Sequence, residues 1–101
     1  MVKNGMRPVH PGEILKEEYM IPLGLSAAAL ARALHVSAPT VNNIVLQRRG
    51  VSADMALRLA TAFDTTAQFW LNLQAAYDLC KAETERGAQI RREVERVPHF
   101  A

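Results

Sequence analysis

Four segments of this chain each begin with a serine or threonine and continue with apolar residues three and four positions apart, as in Ser26 followed by Ala27, Leu30, Ala31 and Leu34. A hydroxyl at such a position caps the free backbone N–H groups of a first helical turn, and the spacing places the apolar residues on one helical face. No run alternates apolar and polar residues over the length of a half-buried strand. The sequence therefore predicts an all-α fold.

The first three predicted helices lie in the N-terminal half of the chain. The first opens near Pro11, a residue suited to the first helical position, and stops before Pro22-Leu23-Gly24. The second follows Ser26 and breaks at His35-Val36, and the third is capped by Ser37. Two short helices joined by a tight turn are typical of a helix-turn-helix.

Two further helices complete the prediction. Arg48-Arg49-Gly50-Val51 is a predicted loop, and Ser52 caps the fourth helix. Thr65 and Gln68 have the spacing of a capping box at the start of a fifth helix that reaches Cys80. The expected domain is thus a bundle of five helices.

The residues after position 80 have a different composition, with many charges and few apolar side chains. Ile90, Val94 and Val97 form a thin apolar stripe, which predicts a short helix ended by Pro98. Such a helix cannot fold alone, so it docks on the domain, docks on a second copy, or frays. We accordingly divide the chain into an N-terminal arm (1–9), a helix-turn-helix domain (10–80) and a charged helical tail (81–101).

Length and composition limit the class of protein. A chain of 101 residues that is 50% apolar and 22% charged has room for one globular core. No apolar run approaches the roughly 20 residues of a membrane helix, and the first residues lack the apolar region of a secretory signal, so we expect a cytoplasmic protein. The single cysteine, Cys80, can form neither an internal disulfide nor a thiolate metal site.

The distribution of charge is more informative than the net charge of +2. No acidic residue occurs between Tyr19 and Ala53, a stretch that contains Arg32, Arg48 and Arg49. An acid-free central third would present a mildly positive surface to a polyanion. Chance in an alanine-rich stretch explains the pattern equally well.

The third helix carries the candidate nucleic-acid contacts. When Val41 and Ile44 pack inward, its N-terminal turn and one side face solvent, which is the part of a helix-turn-helix that enters the major groove. Asparagine pairs with the adenine edge, and apolar groups contact the thymine methyl. The candidate base-reading residues are Ala38, Pro39, Asn42 and Asn43, and the candidate backbone contacts are Ser37, Thr40, Arg48 and Arg49.

Several of these segments also carry a resemblance to a known family. From His10 to Leu79 the chain resembles the HigA antitoxins, which are Xre-type, lambda-repressor-like helix-turn-helix proteins. The central segments are generic to many repressors, whereas the first and last together are specific to the family. The matching segments are His10-Pro11-Gly12-Glu13-Ile14-Leu15, Leu23-Gly24-Leu25-Ser26, Leu30-Ala31, Val36-Ser37, Asn43-Ile44-Val45, Arg49, Asp54-Met55-Ala56-Leu57-Arg58-Leu59-Ala60, Phe69-Trp70-Leu71-Asn72-Leu73-Gln74 and Tyr77-Asp78-Leu79.

The resemblance implies a five-helix repressor fold, a homodimer on a palindromic operator, autoregulation of the operon, and a HigB-type ribonuclease toxin as partner. Three positions depart from the common repressor pattern. Ala27 replaces a frequent Gln, while His35 and Gln47 replace frequent glycines. His35 fits the turn if its φ is positive, which histidine adopts more readily than bulky apolar residues do. The departures leave few polar base readers, so DNA shape would contribute to specificity.

Two alternative functions are compatible with the sequence. An orphan Xre-type regulator without a toxin, and a module whose helix-turn-helix binds protein instead of DNA, would have the same sequence features. An enzyme is not expected, because the chain has no glycine-rich phosphate loop, nucleophile elbow or suitably spaced carboxylates. No metal or cofactor is expected either, because His10, His35 and His99 are far apart and lack metal-ligand spacing.

Overall fold

A computed structural model describes residues 7–98, and the secondary structure within that range is entirely helical. Most of the predicted N-terminal arm, together with His99, lies outside the described residues. The first helix, α1, is assembled from three consecutive segments. The others are α2 (Ala27–Leu34), α3 (Ala38–Val45), α4 (Ala53–Phe63) and α5 (Ala67–Glu93).

Helix α1 begins as predicted and ends later than predicted. It comprises an α-helical turn at Pro11–Ile14, a π-helical segment at Leu15–Met20 and a last turn at Ile21–Leu23. The expected stop before Pro22 is wrong. The N–H of Ile21 bonds to the Lys16 carbonyl, five residues back, and this wider turn accommodates the proline ring one residue later. The helix ends at Gly24, whose φ of 65° is left-handed.

The predicted caps of the next helices are formed. The hydroxyls of Ser26, Ser37 and Ser52 each accept a backbone N–H three residues on, at 3.0, 3.3 and 3.1 Å. The capping box of Thr65 and Gln68 is wrong, because Thr66 is the N-cap of α5 and accepts from the Phe69 N–H at 3.0 Å. The Thr65 hydroxyl instead accepts the indole N–H of Trp70 at 2.8 Å.

All helices contribute to one core around Trp70, which is fully buried. Tyr19 of α1 packs beside it with ring centroids 5.3 Å apart. The indole N–H of Trp70 is satisfied by the Thr65 hydroxyl, so the whole side chain can be buried. The other buried hydrophobic residues are Leu15, Met20, Leu30, Ala31, Leu34, Val41, Ile44, Val51, Met55, Ala56 and Leu59.

Helix α5 is longer than the sequence suggested. It runs unbroken for 27 residues and ends at Glu93, so the separate short helix ended by Pro98 is wrong. Residues 81–93 contain good helix formers and no proline, and Glu83 pairs with Arg91 across two turns, so nothing interrupts the helix before Glu93. From residue 81 to 98 only Gly87 is buried, so this segment does not dock on its own domain.

The protruding end of α5 gives the molecule an elongated shape, with principal extents of 53 × 30 × 22 Å. Within residues 7–98, no helix combines the length and apolar character required to cross a membrane.

Candidate nucleic-acid interface

Helices α2 and α3 are joined by a turn that has a left-handed residue at its centre. His35, the C-cap of α2, has φ 60° and ψ 46°, and its N–H bonds back to the carbonyls of Ala31 and Arg32. The predicted positive φ at this histidine is confirmed. A non-glycine residue here costs some backbone strain, so the turn needs support from its surroundings.

Arg58 of α4 provides that support. One of its guanidinium nitrogens donates to the Leu34 carbonyl at 2.8 Å, and its Nε pairs with Asp54 at 2.6 Å. Asp54 and Arg58 are four residues apart on one helix, the spacing at which opposite charges pair. The bond to Leu34 was missed, because its partners are 24 residues apart in sequence.

The contacts of α3 with the core fix which side faces solvent. Val41 and Ile44 are each 1% exposed and point inward. Gly12, in the first turn of α1, approaches α3 so closely that a Cβ built on it would overlap the Ile44 carbonyl oxygen. This contact seats the C-terminal half of α3 against the first helical turn of α1.

The predicted base-reading residues do not share one environment. Pro39 and Asn42 are exposed on the outward face, and Asn43 is half-buried at its edge. Ala38 is half-buried and packs against the core, so less of it is available to a partner than the sequence suggested. Within the described residues, neither asparagine side chain is engaged in a hydrogen bond.

Leu46, the C-cap of α3, was not among the predicted contacts. Its side chain is 56% exposed, and it follows Asn42 and Asn43 by four and three residues, which places it on the same helical face. That spacing was visible in the sequence. An exposed apolar side chain beside two asparagines extends the outward face by one turn.

The N-terminus of α3 is suited to an anion. The hydroxyls of Ser37 and Thr40 lie 2.8 Å apart, and the Ser37 oxygen also accepts the Thr40 N–H. Because one hydroxyl donates to the other, one O–H remains available to a phosphate oxygen. The positive end of the helix dipole acts in the same direction.

The loop after α3 carries the two predicted arginines. Gln47 turns the chain with φ 63°, and the N–H groups of Arg48 and Arg49 then bond to the Asn43 carbonyl at 2.7 and 3.3 Å. Both arginines are exposed. The ion pairs of residues 7–98 involve Arg7, Arg58 and Arg91 with carboxylates elsewhere, so the guanidinium groups of this loop face solvent without a carboxylate partner.

Two side chains, His10 before α1 and Gln74 in the middle of α5, have fixed positions in this part of the fold. The buried His10 ring accepts the Gly12 N–H at Nδ1 (2.9 Å) and packs edge-on against Tyr77. Burial is the main cause that lowers the pKa of His10. On the other side of the loop, Gln74 accepts the Val51 N–H at 2.7 Å.

Within residues 7–98, no three His, Cys, Asp or Glu side chains converge on a position that could hold a metal ion. The surface formed by α3 and the loop after it contains hydroxyls, amides, apolar groups and two arginines without a carboxylate partner in the described part of the chain. These are the groups that contact a nucleic-acid backbone and base edges.

Comparison with known proteins supports this interpretation of the surface. A helix-turn-helix family model matches residues 16–70. Virulence-associated protein I of Dichelobacter nodosus is 58% identical over 84 residues, which cover 83% of this chain and 78% of that protein. The structure of the Pseudomonas aeruginosa antitoxin HigA with the higBA promoter is 57% identical, with a TM-score of 0.86, and covers 93% of this chain and all of that one. The chain belongs to the HigA family of helix-turn-helix antitoxins.

A second structure of the family is similarly close. Antitoxin GraA in complex with its operator is 61% identical, with a TM-score of 0.87, and covers 98% of this chain and all of that one. The predicted HigA resemblance and the all-α repressor fold are thus confirmed. In this chain the family's His10-Pro11-Gly12 segment has a structural role: the His10 side chain caps α1, and Gly12 packs against the Ile44 backbone.

Proposed function

We propose that this chain is the operator-binding antitoxin of a HigB–HigA-type pair, which represses its own operon and neutralises a small ribosome-dependent ribonuclease. One observation carries the proposal: the exposed side of α3, with Asn42, is followed directly by a loop whose two arginines are exposed and have no carboxylate partner within residues 7–98. The HigA and GraA structures named above contain promoter or operator DNA and are 57% and 61% identical to this chain. We place the activity in the cytoplasm, where such DNA is found.

We assign two kinds of contact to this surface. Pro39, Asn42 and Asn43, with a smaller contribution from Ala38, face the bases in the major groove. Leu46 extends this set, because its exposed side chain can contact a thymine methyl or a sugar. The backbone contacts are assigned to Ser37, Thr40, Arg48 and Arg49.

A DNA titration tests these assignments. Fluorescence anisotropy is measured on a duplex from the promoter of the chain's own gene and on a random duplex of equal length. The double substitution R48A/R49A should weaken binding to both duplexes and reduce the salt slope by about 2, one for each lost phosphate contact. An unchanged salt slope would remove the two arginines from the interface.

Asn43 is tested separately, because a base contact affects sequence preference. N43A should reduce the preference for the promoter over the random duplex and leave binding to the random duplex nearly unchanged. Asn72, on the exposed surface of α5, is a matched control, and N72A should bind like the wild type. Equal losses of N43A on both duplexes would exclude base reading by Asn43.

We further propose that the chain acts as a homodimer through the protruding part of α5. Leu79 and Ile90 are 71% and 41% exposed, and eleven residues, or three turns, place them on one helical face. Val94 and Val97 continue the apolar surface beyond the helix end. Under this proposal residues 10–80 form the DNA-binding unit, and Leu79 together with residues after position 80 holds two copies together. The two α3 helices would then reach half-sites roughly 34 Å apart.

Sedimentation measurements test the dimer. L79E should shift the chain to monomers, because it places a charge in the apolar interface. Leu57 of α4 is comparably exposed at 62% and lies outside this surface, so L57E is the matched control and should remain dimeric. If L79E sediments like the wild type, this face of α5 is not the interface.

The toxin partner is tested by co-expression with the product of the adjacent gene. The proposal expects a complex that co-purifies and a growth arrest that this chain relieves. A harmless neighbour that does not bind would instead identify a free-standing Xre-type regulator. DNA binding is measured independently, so that result would leave the repressor assignment unchanged.

A further inference from the structure

The loop that carries Arg48 and Arg49 is attached to α5 by one side chain. Gln74 accepts the Val51 N–H at 2.7 Å and donates from its Nε2 to Asp78 at 3.0 Å. The amide is therefore held from both ends, with its oxygen directed at the loop and its nitrogen at the next turn of α5. Val51 itself is buried, which fixes the C-terminal end of the loop.

Gly50 brings the loop backbone into contact with the same amide. A Cβ built on Gly50 would lie 2.7 Å from the Gln74 side-chain oxygen and 2.8 Å from its nitrogen. Gly50 does not have a positive φ, so its backbone conformation is open to any residue. The absence of a side chain here serves the close approach of the loop to α5.

We propose that Gln74 is a positioning residue for DNA binding: it fixes the loop in the conformation from which Arg48 and Arg49 contact the phosphate backbone. The inference rests on the proposed function and deepens it. Asn43 holds the start of the loop through its carbonyl, and Gln74 holds its end. A loop held at both ends loses less conformational entropy on binding, so its two cations contribute more to affinity.

The proposal gives α5 a second role. The same helix carries the exposed face of Leu79 and Ile90 and the amide that holds the operator-contacting loop. Gln74 lies five residues, less than two turns, before Leu79. Binding of a second chain to that face therefore occurs close to the residue that positions the phosphate contacts.

The test compares Q74L with Q68L on the promoter duplex used above. Gln68 lies on the same helix and donates to Asn72 at 2.8 Å, as Gln74 does to Asp78, but within residues 7–98 it makes no hydrogen bond to the loop. Both substitutions remove one amide hydrogen bond within α5, and only Q74L frees the loop. We expect Q74L to weaken promoter binding by about 3- to 10-fold, the range of one hydrogen bond, and to lower the salt slope. Q68L should match the wild type.

A second variant breaks the same contact from the loop. In G50A the new methyl group displaces the flexible Gln74 amide, so its effect should equal that of Q74L without a change in α5. Thermal unfolding confirms that each variant is folded at the assay temperature. If Q74L does not fold, G50A decides the outcome.

Combination with R48A/R49A separates positioning from general destabilisation. If Gln74 acts through the arginines, Q74L has no further effect on affinity once they are removed. The proposal is overturned if folded Q74L and G50A bind like the wild type, or if the effects of Q74L and R48A/R49A add fully. Failure of the proposed function gives a different result, because the wild type itself would then show no salt-dependent binding to either duplex.

Discussion

The guanidinium of Arg58, in the middle of α4, donates a 2.8 Å hydrogen bond to the carbonyl of Leu34, the last residue of α2. That carbonyl belongs to the end of a helix, where the last four lack intrahelical partners. The same arginine also lies 3.5 Å from the His35 carbonyl. One side chain therefore supports the turn between α2 and α3, although it belongs to neither helix.

The substitution R58M should destabilise the domain, because it keeps the aliphatic length and removes the donors. We expect a loss of about 1–2 kcal/mol, below the full value of a charged hydrogen bond because the Arg58 side chain is 38% exposed. The measurement is urea unfolding.

D54N controls for the ion pair of Arg58. Asp54 is largely exposed, so its loss should cost less than about 1 kcal/mol. In the D54N background R58M should still cost nearly as much as in the wild type, because the bond to Leu34 does not depend on Asp54. If R58M has no effect once Asp54 is neutral, the contribution of Arg58 comes from the ion pair alone.

Local signals in the sequence explain why much of the fold was predictable. Ser26, Ser37 and Ser52 cap their helices as expected, because the bond of a capping hydroxyl spans only three residues. The positive φ of His35 was predictable for the same reason, since it depends on the turn alone.

The predicted helix ends and caps were wrong where the structure depends on more than the local sequence pattern. Pro22 normally ends a helix, but the π-helical segment before it accommodates the ring. Two adjacent threonines precede α5, and the burial of Trp70 recruits Thr65 as acceptor, which leaves Thr66 as the cap. The length of α5 was underestimated because its end has no core-facing stripe, although an exposed helix requires none once it extends from a packed one.

The hydrogen bonds that support the candidate site from other helices could not be predicted from the sequence. Arg58 meets Leu34 across 24 residues, and Gln74 meets Val51 across 23. Such pairs depend on how the helices pack, which residue spacing does not specify. The exposed face of α3 was predictable, because it follows from the inward positions of Val41 and Ile44.

Gly12 offers a test of the packing between α1 and α3. In G12A the new Cβ meets the backbone oxygen of Ile44, which cannot move without shifting α3. We expect a loss of about 1–3 kcal/mol, typical of overpacking, measured by urea unfolding.

Substitution of Gly87 is the control for G12A, because it should not lower the free energy of unfolding. It lies inside α5, and a Cβ there would meet only the mobile ends of Glu83 and Arg91. G87A should therefore leave stability unchanged or raise it by up to about 1 kcal/mol, because alanine favours helix more than glycine does. A G12A protein as stable as the wild type would mean that α1 and α3 pack less closely than described.

Substitution of Thr65 tests the hydrogen bond that its hydroxyl accepts from the buried Trp70 indole. T65V keeps the shape of the side chain and removes the acceptor of the Trp70 N–H, leaving a buried donor without a partner. We expect a cost of about 1–3 kcal/mol and a change in the emission of the single tryptophan. T61V is the matched control, because Thr61 is exposed and its hydroxyl bonds only within α4. Equal stability of the two variants would show that the indole finds another partner.

His10 makes the stability of the domain depend on pH. Burial is the main factor that lowers its pKa from the ordinary 6.5, opposed by the charge of Asp78 and the Arg49 backbone and assisted by Lys81. The folded state therefore disfavours the protonated ring, whose Nδ1 could no longer accept the Gly12 N–H. Above pH 6.5 the ring is neutral in both states, and no stability is lost through this group.

As the pH falls through 6.5, the unfolded chain binds a proton that the folded chain resists, so stability decreases until the lower folded-state pKa is passed. Urea unfolding between about pH 7.5 and 5.5 measures this slope, a window above most carboxylate titrations. The substitution H10N retains a capping acceptor and removes the titrating ring, so it should flatten the slope. An H10N protein with the same slope as the wild type would exclude His10 as its source.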